Sequence, residues 1–244
     1  MNATAISNNS LQPETFIVTD SVQIIPGDVR QKLALLPDNT FHCCVTSPPY
    51  WGMRDYGYEG QIGAETNIND YIAHLVDVFR EVRRVLRSDG TFWLNIGNTY
   101  TSGGRTWRQS DAKNKGRAMS YRPDTPAGLK PKDLIGVAWM LAMALQLDGW
   151  YLRSDIIWHK PNCQPESVKD RVTVSHEYLF MLSKSENYYF DQESIKEQTA
   201  DGKSHKNKRT VWQINTEPCK EAHFAVFPRA LVRPCILAGA PKGG

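Results

Sequence analysis

The tetrapeptide Ser47-Pro48-Pro49-Tyr50 places a hydroxyl, two proline-stiffened carbonyls and an aromatic ring side by side. That combination suits chemistry on an amine conjugated to an aromatic ring. Such an amine is a poor nucleophile, because its lone pair is delocalised into the ring. Two acceptors set against its hydrogens would draw the nitrogen toward tetrahedral geometry and aim the lone pair at an electrophilic methyl group. This is preorganised electrostatics rather than strong base catalysis. The Ser47 oxygen and the Pro48 carbonyl are the candidate acceptors. Pro48 and Pro49 fix φ and bias the preceding residue toward extended geometry, so these oxygens point out of a stiff loop. Tyr50 then offers a stacking surface to an extruded base. An isolated tetrapeptide of this kind is more often a surface turn. Its place directly after Phe41 to Thr46, whose apolar and sulfur residues do not alternate as in a strand covered on both faces, favours the functional reading.

Other residues with chemical capacity carry less. His176-Glu177 begins like a zinc-protease helix, but Phe180 stands where the second histidine is needed, so the histidine reads as structural and no metal is expected. Five cysteines form no CxxC pair, and without an export signal they read as reduced thiols. The net charge of +3 is unevenly spread. From Thr101 to Lys132, eight basic residues, among them Arg105, Arg108, Lys113 and Lys115, face only Asp111 and Asp124, a balance of +6. Lys203, Lys206, Lys208 and Arg209 form a second cluster around His205. With Trp107 and Tyr121 interleaved in the first, such stretches suit a polyanion whose bases can stack, with a solvated loop as the equal alternative.

These residues need a scaffold. Val22 to Ile25 reads as a short strand ending at Pro26-Gly27-Asp28, followed by a helical stretch to Leu36 and a turn at Pro37-Asp38-Asn39. From Asn69, the spacing of Ile72, Leu75, Phe79, Val82 and Leu86 predicts an amphipathic helix that stops at Ser88-Asp89-Gly90. A strand at Thr91 to Ile96, a buried helix at Leu134 to Leu147 and strands at Trp150 to Trp158 and Glu177 to Leu182 complete the pattern. Strands alternating with helices imply an α/β fold with a doubly wound, mainly parallel sheet. In such sheets the working loops follow the carboxyl ends of strands. Asp28, the Ser47 to Tyr50 loop, Asn95 to Asn98 and His159-Lys160-Pro161-Asn162 should therefore share one edge. The apolar run at Leu134 is shorter than the roughly 18 residues a membrane span needs, and Met1 to Ser10 lacks signal-peptide character. A cytoplasmic protein is expected, with a flexible stretch over residues 1–20.

The segment Thr46-Ser47-Pro48-Pro49-Tyr50-Trp51-Gly52-Met53-Arg54-Asp55-Tyr56-Gly57 resembles the extended catalytic motif of bacterial and phage amino-methylating DNA methyltransferases of the permuted β group. Further blocks follow in the family's order. They are Arg80 to Gly97, then Gly149 to Asn162 continuing through Ser175-His176-Glu177-Tyr178, and Ala222-His223-Phe224-Ala225-Val226-Phe227-Pro228. The resemblance implies a Rossmann-like methyltransferase sheet, S-adenosylmethionine as cofactor and double-stranded DNA as partner, within restriction-modification or a phage or prophage. It also implies that Ser47, Pro48, Pro49 and Tyr50 grip the target amine and base. His223, Phe224, Ala225, Phe227 and Pro228 would approach the methionine part of the cofactor. Asp28 would contact the adenosine, although an Asp in that position is equally an ordinary helix N-cap. Trp51, Arg54, Lys160 and Asn162 join Arg105, Arg108, Lys113 and Lys115 as expected DNA contacts.

The family's glycine-rich turn and ribose-binding acidic strand follow the His-Phe-Ala block, and neither is found before Gly244. The sequence therefore suggests a catalytic domain over residues 21–244 missing its C-terminal strands, with a half-built cofactor site and, as a partner, a complementing C-terminal fragment or a second copy. The segment around residues 191–212, where this group carries target recognition, is short, and the insertion at 101–132 could share that role. Serine in the first motif position favours cytosine-N4 over adenine-N6. Methylation of RNA or of a protein glutamine is a weaker alternative, and an inactive DNA-binding remnant or half of a split enzyme is the alternative of another class.

Overall fold

The computed structural model describes residues 16–19, 22–101, 122–218 and 226–243. Strands β1 (Phe16–Thr19) and β2 (Val22–Ile24) form a two-stranded antiparallel hairpin apart from the main sheet. The first of these falls within the stretch expected to be flexible. Its partner β2 is exposed along its length and so lacks the burial pattern by which core strands are recognised.

The remaining elements up to the last strand are helix α1 (Val29–Ala34), strand β3 (Phe41–Thr46), helix α2 (Ile68–Val85), strand β4 (Leu86–Ile96), helix α3 (Val137–Leu147), strands β5 (Tyr151–His159) and β6 (His176–Ser183), a single 3-10 turn (Glu193–Ile195), and strands β7 (Glu197–Gln198), β8 (His205–Lys206) and β9 (Val211–Gln213). Helix α4 (Arg229–Gly239) closes the described chain. The main sheet has the order β3-β4-β6-β5-β9. Strands β3 and β4 are parallel, as are β5 and β9, while β6 runs antiparallel to both of its neighbours. Four strands therefore share one direction, and the mainly parallel sheet carries one reversed strand near its middle.

The sheet is covered on both faces, and the strands show it in a period of two. Phe92, Leu94, Ile96, Phe180 and Leu182 face α2 and α3, whereas Trp93, Leu179, Met181, Ile156 and Trp158 face α4. This is why Phe92-Trp93-Leu94 of β4 and Leu179 to Leu182 of β6 are consecutive apolar residues rather than alternating ones. Helix α2 lays down the stripe Tyr71, Ile72, Leu75, Val78, Phe79 and Val82. It ends at Val85, earlier than the Ser88-Asp89-Gly90 breaker suggested, because Leu86 is already extended and opens β4. Helix α3 begins at Val137 after Gly136, which sits at φ 77°, and not at Leu134, which bridges to Tyr100. It is buried on one side only, since Leu147 is 86% exposed.

Helix α4 packs unusually close. A Cβ on Gly239 would lie 2.3 Å from the Thr91 hydroxyl and 3.0 Å from both Cys43 Sγ and Trp93 Nε1. Gly239→Ala is therefore expected to destabilise the protein by about 1–3 kcal/mol through overpacking, lowering the thermal midpoint by several degrees. A midpoint equal to wild type would show that α4 can lift off β3 and β4 without cost.

Candidate active site

The four strands of common direction end on one edge, and the loops leaving three of them meet there. Ser47 follows β3, Gly97 and Asn98 follow β4, and Lys160 follows β5. The reversed strand β6 brings its amino end, His176 and Glu177, to the same edge, with His159 paired opposite His176. Around this edge lies a cleft of about 2140 Å³ whose lining includes Asp28, Ser47 to Tyr50, Lys160, Glu177 and Phe227.

The loop from Ser47 to Tyr50 is held from below. Trp51 is 3% exposed and its indole N–H donates to the Glu65 carbonyl at 2.8 Å. The Gly52 N–H donates to the Gly63 carbonyl at 2.8 Å, and the Gly63 N–H donates to the Glu65 carboxylate at 2.7 Å. Tyr71 on α2, fully buried, donates its hydroxyl to the Pro49 carbonyl at 2.9 Å. Burial pushes the Tyr71 phenol well up, so it remains a donor. The two proline carbonyls thus differ: Pro49 is occupied, while Pro48 has no hydrogen-bond partner among the described residues and lines the cleft.

Side chains in the cleft form a chain of hydrogen bonds. The Ser47 hydroxyl donates to the Tyr50 oxygen at 3.5 Å, and the Tyr50 hydroxyl donates to Glu177 Oε2 at 2.7 Å. Lys160 Nζ donates to the other Glu177 oxygen and lies 4.4 Å from the centre of the Trp158 ring. Burial, and after it the Glu177 charge, push the Tyr50 phenol well above its usual range. Since the Ser47 hydrogen is directed at Tyr50, the Ser47 lone pairs are left for a donor in the cleft. The Tyr50 ring also rests on Gly97, where a Cβ would come within 3.1 Å of Tyr50 Cε2 and 3.3 Å of Glu177 Cγ.

Several residues assigned from sequence have other work. Trp51, expected at the DNA surface, is a core anchor, because a large aromatic with its N–H satisfied belongs in the interior. Lys160, also expected on DNA, turns inward to neutralise Glu177, with its side chain 17% exposed. Asn162 bonds the backbone of Thr216 with both ends of its amide and so pins the segment after β9. Asp28 caps α1 through the Arg30 N–H at 2.9 Å, and its hydrogen bonds to the Arg30 side chain hold its carboxyl at about 2. The helix-cap reading is realised, with the carboxylate also facing the cleft. Asn95 donates to the Tyr178 carbonyl, and Asn98 accepts from the Ala138 N–H at the start of α3, so each ties the lining of the cleft to a neighbouring element. Phe227 lines the cleft, whereas Pro228 is buried at the start of α4. Arg54 also lines the cleft, in the loop above Trp51. The second basic cluster is partly neutralised internally, because Lys206 and Arg209 pair with Glu197. Arg105, Arg108, Lys113, Lys115, His223, Phe224 and Ala225 lie outside the described residues.

From sequence, no role in the site is assigned to Glu177, Tyr71 or Gly97, although Gly97 falls within the Asn95 to Asn98 stretch expected at this edge. Glu177 stands at the amino end of a strand, where the carboxyl-end rule does not look. Tyr71 reads as one more apolar residue on an amphipathic helix.

Residues 41–244 match the DNA methylase family that comprises N6 and N4 methyltransferases. The chain is 69% identical to the type II methyltransferase M.SmaI of Serratia marcescens, over 92% of this chain and 77% of that protein. It is 58% identical to the type II methyltransferase M.Cfr9I of Citrobacter freundii, over 90% of this chain and 73% of that protein. Among solved structures, the PvuII cytosine-N4-specific DNA methyltransferase superposes with a TM-score of 0.62 at 17% identity, over 88% of this chain and 69% of that chain. A loop of stiff acceptors above a cleft, set on this sheet and matched along most of the chain, places the protein in the N6/N4 amino-methyltransferase family of DNA methylases.

Proposed function

We propose that the protein methylates the N4 amine of cytosine in double-stranded DNA after the base has swung out of the helix into the cleft. The observation that carries this is the pair of available acceptors, the Ser47 hydroxyl and the Pro48 carbonyl, on a loop fixed by Trp51 and Tyr71. An N4 amine has two hydrogens. Accepting both would localise the nitrogen lone pair without removing a proton beforehand. Serine in the first motif position favours cytosine, and adenine-N6 is the second reading.

The methyl donor of this family is S-adenosylmethionine, which supplies an electrophilic methyl group on sulfur. The cleft volume of about 2140 Å³ exceeds the roughly 300–1,000 Å³ of a single small-molecule pocket. That supports room for both an extruded base and the donor. Phe227 in the cleft wall would give the donor an apolar contact, and Asp28 an acceptor, although both carboxylate oxygens already serve Arg30. Tyr50, its ring seated on Gly97 and its hydroxyl held by Glu177, would stack on the base as a preset surface. Among the described residues no helix is long and apolar enough to cross a membrane, and action on DNA fits the cytoplasm.

The test is to incubate protein expressed from its complete gene with DNA and labelled S-adenosylmethionine, then digest to nucleosides. N4-methylcytosine is expected. N6-methyladenine would transfer the assignment to the second reading, and no methylated base would refute both. The basic stretch 101–132 is proposed to meet phosphates. Neutralising Arg105, Arg108, Lys113 and Lys115 together should reduce the logarithmic salt slope of DNA binding by roughly 0.9 for each phosphate no longer neutralised. An unchanged slope would make the stretch a solvated loop.

A further inference from the structure

We propose that Glu177 takes up the proton that the target amine releases, received through Ser47 and Tyr50. The inference rests on the amine-methylation reading above and assigns the fate of a proton which that reading leaves open. Transfer makes an N–CH3 bond as the donor's S–CH3 bond breaks, and leaves the nitrogen cationic with one hydrogen too many. That hydrogen must go to an acceptor. Ser47 is placed to accept it, but a serine oxygen cannot keep a second proton.

The hydrogen bonds of the cleft supply the rest of the path. The Ser47 hydrogen points at the Tyr50 oxygen, and the Tyr50 hydrogen points at Glu177 Oε2. When the amine hydrogen moves to Ser47, the Ser47 hydrogen moves to Tyr50 and the Tyr50 hydrogen moves to Glu177. Serine and tyrosine end as they began, the amine is neutral, and Glu177 is a neutral carboxylic acid. The positive charge that entered on the donor's sulfur leaves as this proton. The Ser47 to Tyr50 step, at 3.5 Å, is long, as hydrogen bonds of this kind often are before substrate binds. The Tyr50 to Glu177 step, at 2.7 Å, is already formed. Lys160 holds the far oxygen of Glu177, which fixes the carboxylate with Oε2 toward Tyr50. Glu177 also lines the cleft, so its proton can pass to solvent once product leaves.

Two features argue against a purely structural ion pair. A Lys160–Glu177 pair would be satisfied without Tyr50, yet the tyrosine reaches the carboxylate across 127 positions of sequence, and Gly97 leaves room for both side chains. The network also begins at Ser47, on the reacting edge.

The experiment compares wild type, Glu177→Gln, Tyr50→Phe and the double variant in methyl transfer to DNA. Glutamine keeps the shape and can still accept from Tyr50, but cannot take the proton. Phenylalanine keeps the ring for stacking and removes only the relay oxygen. Each single variant should lose about tenfold or more in kcat, with KM for DNA within about threefold of wild type. The double variant should be no slower than the slower single one, because a relay is broken only once. Glu177→Asp, which restores a carboxylate, should recover part of the Glu177→Gln loss. An active wild type with Glu177→Gln at full kcat overturns the relay alone, as do losses that multiply in the double variant. If Glu177→Gln fails to fold, full kcat in Tyr50→Phe overturns it equally. A wild type that transfers no methyl group overturns the reading on which the relay rests.

Discussion

Ser47→Ala is expected to slow methyl transfer by about 100- to 1000-fold, the usual cost of removing one preorganised polar partner of a transition state. The side chain is half-buried on the cleft, with its hydroxyl donating to Tyr50 and its oxygen free to accept from a group in the cleft. Alanine leaves one amine hydrogen without its acceptor, and the lone pair then stays in the ring. Little stability is at stake, because the loop is anchored by Trp51 and by the Tyr71 hydroxyl on Pro49, not by Ser47. DNA affinity should survive, since phosphate contacts dominate it. The measurement is single-turnover transfer at saturating DNA, with affinity taken separately by titration. A Ser47→Ala rate within about threefold of wild type would remove Ser47 from the mechanism and leave the Pro48 carbonyl as the main acceptor.

The Ser47 to Tyr50 loop stands out in the sequence because two local signals coincide: a proline pair that stiffens the backbone, and a preceding strand whose residues do not alternate. Helix α2 was readable for the same kind of reason, a period of 3.6 sustained over five turns. What could not be read depends on which neighbour folds back. Trp51 and Tyr50 are adjacent aromatics with the same local claim to face DNA, yet Trp51 turns to Glu65 in the interior and Tyr50 to Glu177 beside the cleft. Lys160 follows a strand at the functional edge, as expected, but only the pairing of β5 with the reversed β6 reveals the carboxylate that captures it. Strand direction decides the matter. Had β6 run parallel to its neighbours, Glu177 would lie at the opposite edge and could not reach Tyr50.

Gly97→Val should cost about 100-fold in transfer rate, the scale expected when a reacting group is displaced by about 1 Å. Gly97 is buried where β4 ends, and its missing side chain is the space that Tyr50 and Glu177 occupy. A lone Cβ would meet Tyr50 Cε2 at 3.1 Å and Glu177 Cγ at 3.3 Å, so even alanine demands a shift of a few tenths of an ångström. Valine adds two methyl groups to that crowding. Beneath it, β4 is locked between β3 and β6 and cannot retreat. The strain therefore falls on Tyr50 and Glu177, the side chains that project into the cleft and that the proposed reaction uses to present the base and orient Ser47. Overpacking should lower stability by about 1–3 kcal/mol, a few degrees of thermal midpoint for a chain of this size. The protein should remain folded while losing its rate. The decisive series is glycine, alanine and valine at position 97, assayed at a temperature well below every midpoint. Rates falling in step with side-chain size would locate the cost in displaced Tyr50 and Glu177, while full activity in Gly97→Val would mean that the seat of the Tyr50 ring does not matter to the reaction.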